Sequence, residues 1–343
     1  MHPDPGSRPG PDPGAAPPAP PGPRPRRGVR AVAAWAAALL VAVPVVVTAC
    51  RLIGTDAFTP VPQLLSALPW LTVPAAVALP LALAARSRTL VGITAAALAG
   101  TLWYLQGYGP GSTGADGPVV ARLRVLASNV EFGVATGRLL AAARAERPQL
   151  MFVTECDPAC VRTLADGLRD RLPYRVTVDG AGSTGSAILS AYPLTAEPPL
   201  PAAMGMPGAK ARIGGRDVRL RLAHPLPPLP GQVDGWRAEL GRVRSWAATA
   251  VPAGPVLLAG DFNASQDHAA FRDILDTGLH DAARLTGEAR TPTWPREGAV
   301  PTYTQIDHVL AGRDFSARGT RFLDLAGTDH RAVLADLDLH ADG

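Results

Sequence analysis

The chain has 343 residues, 47% of them apolar and 18% charged, and a net charge of +4. That excess is confined to one end: residues 1–116 hold 8 basic and 4 acidic residues, while residues 117–343 hold 25 of each. The larger C-terminal part thus lacks the basic footprint with which duplex-binding proteins neutralise phosphate, and Lys210 is the single lysine in the chain.

Residues 1–28 are dense in Pro and Gly with no apolar period, the composition of a disordered cytoplasmic tail. Three uncharged blocks follow, Ala31 to Cys50, Ala57 to Ala85 and Thr89 to Ala115. Each can supply the roughly 20 apolar residues that a spanning helix needs, so three transmembrane helices are expected within 29–108. A cleaved signal peptide is the alternative for the first block, but its length and the two blocks behind it count against cleavage. Arg24, Arg26, Arg27 and Arg30 precede the first block, and Arg86 and Arg88 separate the second from the third. The loop between the first two carries only Arg51, beside Asp56. The positive-inside rule then makes the N-terminus cytoplasmic and the C-terminal domain of this multi-pass cell-membrane protein extracytoplasmic. No charge lies within a block, which favours anchoring over a transport path, and no protein partner is evident.

Residues 109–119 have the composition of a flexible linker, and 120–340 are long enough for a core of their own. In chain order, 122–129 reads as a strand, a helix runs from about Thr136 until Pro148, and 149–155 reads as a buried strand. A helix through 159–172 and strands at 174–178, 185–194 and 216–225 come next. A long helix through 236–250, a strand at 254–262, a helix after Gln266, and strands at 304–312 and 330–339 complete the domain. Several strands stand next to one another in this order, so an α+β arrangement or two stacked sheets faced by helices is expected rather than a pure βαβ repeat. Cys156 and Cys160 could form a disulfide outside the cell or be two separate buried residues, and they offer too few ligands for zinc.

Polar residues gather where strands end: Asn129, Glu155, His224, Asp261 with Asn263, Asp307, and the pair Asp329–His330. Each alone is an ordinary turn former or a stray histidine. Together, carboxylates and carboxamides suit a hard divalent cation such as Mg²⁺, with Mn²⁺ as a substitute, and two histidines beside carboxylates suit proton transfer near neutral pH. Metal-assisted phosphoester hydrolysis uses such a set. His308 follows Asp307 and should face the other side of its strand, so it is given no catalytic role.

The segments "ASNV", "VTEC", "GSAILSAYPL", "LAHP", "GDFNAS", "QIDHVL" and "TDHRAV" occur in an order that resembles the endonuclease/exonuclease/phosphatase superfamily. That superfamily includes pancreatic-type deoxyribonucleases, abasic-site nucleases, neutral sphingomyelinases and inositol polyphosphate phosphatases. The resemblance spans about residues 120 to 340. It implies a four-layered α/β/β/α sandwich. It also implies metal-site roles for Glu155, Asn129 and Asp329, positioning of phosphate, nucleophile and metal by Asp261 and Asn263, and a general base in His330 held by Asp307. His224 would bind or protonate a phosphate oxygen. The expected substrate is a phosphodiester or phosphomonoester: a lipid head group, a nucleic acid or a small phosphorylated metabolite. The alternative is an inactive binding or sensor protein on the same fold, against which the complete residue set counts.

Overall fold

The computed structural model describes residues 27–105, 115, 117–296 and 301–341. Most of the expected tail and linker lies outside the described residues. The first helices are α1 (Arg27–Ile53), α2 (Val61–Ser66), α3 (Thr72–Ala85) and α4 (Arg88–Leu105). Small side chains let three of them pack closely: Ala37 and Val41 of α1, Ala78 and Ala82 of α3 and Ala97 of α4 form one cluster. Among the described residues two stretches are long and apolar enough to cross a membrane, Arg27–Ile53 and Leu68–Ala85. The third expected span, α4, is 18 residues long but less apolar than these two, because it opens on Arg88 and carries Gly92, Gly100 and three threonines.

The remaining chain lays down β1 (Val119–Asn129), α5 (Thr136–Glu146), β2 (Leu150–Thr154), α6 (Pro158–Gly167), β3 (Tyr174–Val178) and β4 (Ser186–Ser190). Then come β5 (Leu194–Glu197), β6 (Gly208–Ile213), β7 (Arg216–Ala223), α7 (Val233–Ala250) and β8 (Val256–Asp261). The last elements are α8 (Ala269–Leu275), β9 (His280–Asp281), α9 (Ala282–Leu285), β10 (Asp307–Ala311), β11 (Phe315–Asp324) and β12 (Arg331–His340). They build two sheets of order β11-β12-β1-β2-β4-β3 and β5-β6-β7-β8-β10-β9. Among the described residues only β1 with β2 and β7 with β8 are parallel pairs.

Alternation along the strands sorts the layers. Val125 and Ala127 of β1, Leu257 and Ala259 of β8, Val309 and Ala311 of β10, and Val333 and Ala335 of β12 meet between the sheets. Their neighbours turn outward, Leu126 and Leu334 under α5 and α6, Leu258 and Leu310 under α7 and α8. Because both faces of each sheet are covered, the strands read as unbroken apolar runs. The result is the helix–sheet–sheet–helix sandwich expected. One predicted strand divides: 185–194 becomes β4 in one sheet and β5 in the other, with Pro193, which has no N–H for a ladder, at the crossing. Cys156 and Cys160 are disulfide-bonded.

The sandwich sits against the helical part through polar contacts. The buried Asp56 accepts from the Ala270 amide at 2.8 Å and faces Arg237 at 3.1 Å. His268 Nε2 donates to the Pro62 carbonyl at 2.8 Å, and its Nδ1 accepts from the Ser265 amide. Asp267 pairs with Arg290 at 2.8 Å and with Arg51 at 3.4 Å, and Arg51 lies over the Tyr104 ring.

Phe152 is fully buried between the sheets. Phe152→Ala should cost about 3–5 kcal/mol, read as a lower thermal midpoint of the detergent-purified chain. An unchanged midpoint would contradict this packing.

Candidate active site

The polar residues noted in the sequence converge because strand direction and register bring them to one end of the sandwich. Asn129 closes β1, and its parallel neighbour β2 ends opposite it at Thr154, one residue before Glu155. Likewise β7 runs parallel to β8, so His224 follows Ala223 close to Gly260 and Asp261. β10 runs the other way and begins with Asp307 directly opposite Asp261. His330 precedes β12, which is antiparallel to β1. Asn129, Asp261 and Asp307 extend the inward-facing rows of their strands, so the cluster caps the inter-sheet core.

The geometry forms two groups. In the first, His330 Nδ1 and Asp307 Oδ2 are 2.8 Å apart, while His330 Nε2 lies 3.7 Å from Asp261 and 3.6 Å from Asp329. In the second, the Asn129 side-chain amide donates to Glu155 at 3.0 Å and to Asp261 at 3.2 Å, and His224 Nε2 lies 3.9 Å from Glu155. Asn263 joins through its backbone amide, which donates to Asp261 at 2.8 Å, while its side-chain amide donates to the Pro225 carbonyl. His308 turns away as expected, 2.7 Å from Asp281 and beside Phe262 and Phe271.

Several contributors were not anticipated from the sequence. Glu131 accepts from the Asp329 amide at 2.9 Å, and its own amide donates to Asn129 Oδ1. Trp294 Nε1 donates to Asp329 Oδ2 at 2.8 Å, and Thr293 Oγ1 accepts from the amides of Ile306 and Asp307. Trp236 Nε1 donates to the Asn263 carbonyl. A glutamate two residues past a strand end and a tryptophan between prolines gave only faint signals. Their partners are distant in sequence.

Backbone strain concentrates here as well. Glu131, Phe132, Glu155 and Asn263 all have positive φ, between 44° and 56°. Such conformations cost of order 1–3 kcal/mol each and cluster where a side chain must be aimed.

Burial raises the Glu155 pKa, opposed by the Asn129 hydrogen bond and helped by the Asp261 charge. Burial also raises that of Asp261. Burial pushes His224 down to about 4, so this imidazole is neutral. Burial would lower His330 too, but Asp307, Asp261 and Asp329 together carry it up to about 10. Excess negative charge is therefore gathered without an equal number of cationic partners. Asp307 Oδ1 and His224 Nδ1 are, in addition, buried without a hydrogen-bond partner.

That donor chemistry, carboxylate oxygens in a partly desolvated pocket, fits a hard divalent cation. Asp261, Asp307 and His330 present ligand atoms within 4.8 Å of one another. The oxygens of Glu155 and Asp261 each accept a hydrogen bond, as does Asp329 Oδ2, but a carboxylate oxygen keeps a further lone pair for a cation, and Asp307 Oδ1 has no hydrogen-bond partner at all. Asn129 enters as a donor, its oxygen taken by the Glu131 amide.

The Endonuclease/Exonuclease/phosphatase family matches residues 126–330, more than half of the chain and all of the residues above. The chain belongs to this family. Members of the endonuclease/exonuclease/phosphatase family hydrolyse phosphoester bonds and generally use divalent ions. Solved structures repeat the fold at low identity. An endonuclease/exonuclease/phosphatase from Beutenbergia cavernae is 21% identical over 64% of this chain and 72% of its own, with a TM-score of 0.52. One from Bacteroides vulgatus is 14% identical over 64% of this chain and 100% of its own, with a TM-score of 0.51. D. rerio TDP2, complexed with single strand DNA product, is 16% identical over 63% and 99% with a TM-score of 0.51. A comparison with curated proteins gives no match.

If the carboxylates hold the cation, Glu155→Gln should weaken Mg²⁺ binding to the full chain by more than about tenfold in calorimetry, with thermal unfolding retained. Unchanged binding would remove Glu155 from the ligand set.

Proposed function

We propose that the protein is a membrane-anchored, extracytoplasmic phosphoesterase that depends on Mg²⁺, or Mn²⁺ in its place, and hydrolyses a phosphodiester or phosphomonoester with a histidine-activated water. The observation that carries this reading is the His330–Asp307 pair, whose free Nε2 faces Asp261 and Asp329 in the pocket that also holds Glu155, Asn129 and His224.

Asp307 accepts a hydrogen bond from Nδ1–H and so leaves Nε2 as the atom that can take a proton from water. Asp261 lies close to Nε2 and is placed to orient that water. His224, neutral and buried, offers a hydrogen bond to a phosphate oxygen, as does the second N–H of the Asn263 carboxamide, while Asn129 gives its two N–H groups to Glu155 and Asp261 and holds those carboxylates in place. A bound divalent cation supplies charge opposite to that of Glu155, Asp261 and Asp329 and polarises the phosphoryl group. With a cation bound, the charge of Asp261 and Asp329 would add less to what Asp307 does in keeping His330 protonated, which would favour His330 acting as a base.

Arginine placement and docking support the location. The 54–66 connection between α1 and α3 touches the sandwich, so that end of the helices is the sandwich's side. Arg86 and Arg88 lie at the opposite end, between α3 and α4, so α4 must cross back to deliver the chain to β1. With arginines retained in the cytoplasm, the sandwich lies outside, where the Cys156–Cys160 disulfide is stable.

The full chain in detergent should hydrolyse members of a phosphomonoester and phosphodiester panel, EDTA should abolish turnover, and His330→Ala should lower kcat/KM by roughly 10²–10⁴-fold. Metal-independent or absent turnover across the panel would defeat the reading. Protease added to intact cells should degrade the sandwich, and protection until lysis would reverse the topology.

A further inference from the structure

Beside the catalytic cluster lies a cleft of about 160 Å³ with mainly apolar walls. Pro227, Pro228 and Leu229 form one side, and Trp294, Tyr303 and Ile306 another. Two walls touch the catalytic residues themselves. Asn263 is bonded to Asp261, and Trp294 is bonded to Asp329. The remaining wall is not part of the sandwich: Gln63 and Ser66 of α2 close it, and Gln63 is hydrogen-bonded to the Pro228 carbonyl. The cleft thus lies between residues that hydrogen-bond to the catalytic cluster, Asn263 and Trp294, and the helical part.

The height of that opening is marked by aromatic side chains. Phe58 is 55% exposed, Trp70 50% and Trp103 74%, and all three sit at the end of the helices that meets the sandwich. Exposed aromatics at the end of a spanning helix lie at the level of lipid head groups. α2, with Gln63 and Ser66, is in sequence between Phe58 and Trp70, at this same level.

The walls also discriminate between ligands. A single nucleic-acid strand is held by a cationic groove that follows its phosphates. Among the described residues no Arg or Lys lines this cleft, whereas Pro, Leu, Ile, Trp and Tyr do. Leu229 is half exposed, so one wall is an apolar surface left open to solvent or bilayer.

We infer that the substrate is an amphiphilic phosphoester of the bilayer, whose apolar chain enters between α2 and the 227–229 segment while its phosphate reaches His330, His224 and Asp261. This deepens the phosphoesterase reading and rests on it. The docked helical part is then half of the binding site as well as an anchor. The first stretch of the apolar chain is enclosed by the cleft, and the rest lies along the helices in lipid.

The test uses the full chain with methyl, octyl and hexadecyl 4-nitrophenyl phosphates, and thymidine 4-nitrophenyl phosphate, all presented in the same mixed micelles. kcat/KM should rise at least tenfold from the methyl to the octyl and hexadecyl esters. Leu229→Asp, and separately Ser66→Trp, which fills the cleft from the helical side, should each lower the hexadecyl-to-methyl ratio at least tenfold. The wild-type series requires no variant to fold. Equal turnover of all alkyl chains, or faster cleavage of the thymidine ester than of the hexadecyl ester, would overturn the inference and leave the phosphoesterase reading standing. Hydrolysis of none of the esters, when simple phosphomonoesters are cleaved, would also overturn it. Failure of every phosphoester would remove the underlying reading and this inference together.

Discussion

The pairing of β8 with β10, which sets Asp261 directly opposite Asp307, is the contact on which the whole site depends. A shift of one residue would turn Asp307 to the helix side and bring His308 inward, because side chains alternate across a strand. Three features hold the register. His308 is fixed on the outer face by Asp281 and by the Ala264 carbonyl. Thr293 Oγ1 accepts from the amides of Ile306 and Asp307 just where the strand begins. Gly260, with φ of 144°, lets β7 come so near that a Cβ at this position would stand 2.2 Å from the Ala223 carbonyl oxygen. The glycine of "GDFN" is thus required by close strand approach, and the aspartate after it is aimed by that approach.

What the register assembles is electrostatically unfavourable. Glu155, Asp261, Asp307 and Asp329 share a small volume with one imidazole that can carry charge, His330, and one that burial keeps neutral, His224. Raised carboxyl pKa values at Glu155 and Asp261 express that cost. Four left-handed backbone conformations add to it. The surrounding core of two sheets and four helices is large enough to tolerate these local costs, which is the usual balance at sites built to bind a cation and a charged substrate.

The layers and most strands could be read from the sequence because burial on both faces leaves continuous apolar runs such as 150–154 and 256–260, punctuated by polar residues at one end. The elements that escaped were those with no such signature. β11 is an edge strand carrying Ser316, Arg318, Gly319 and Arg321, and β6 is the short "GAKARI", so both have the polarity of loops. At the site, the residues with chemistry of their own, such as His330 and Asp307, stood out by type. Glu131, Thr293 and Trp294 act by bonding to those residues from positions that only the folded chain makes adjacent. Nothing in spacing announces such a partner. The third apolar block is the weakest of the three for a simpler reason: absence of charge is a looser criterion than hydropathy, and Gly and Thr satisfy the first without the second.

The segment that opens with Asp261 does not end at the site. Asp261 and Asn263 serve the catalytic cluster, and four and five residues after Asn263 the side chains of Asp267 and His268 engage Arg51 and Pro62 of the helical part. Asp267 is buried there between two arginines, and the buried Asp56 depends on Arg237 and the Ala270 amide of the sandwich. Separating the two parts would exchange the partners of Asp56 and of His268 Nε2 for water, so these protein hydrogen bonds exist only when docked. A flexible tether makes no such demand on the residues it joins. The dock is therefore better understood as part of the fold of the 261–268 loop, and the orientation of the catalytic pocket toward the apolar helices follows from the same few residues that shape the pocket.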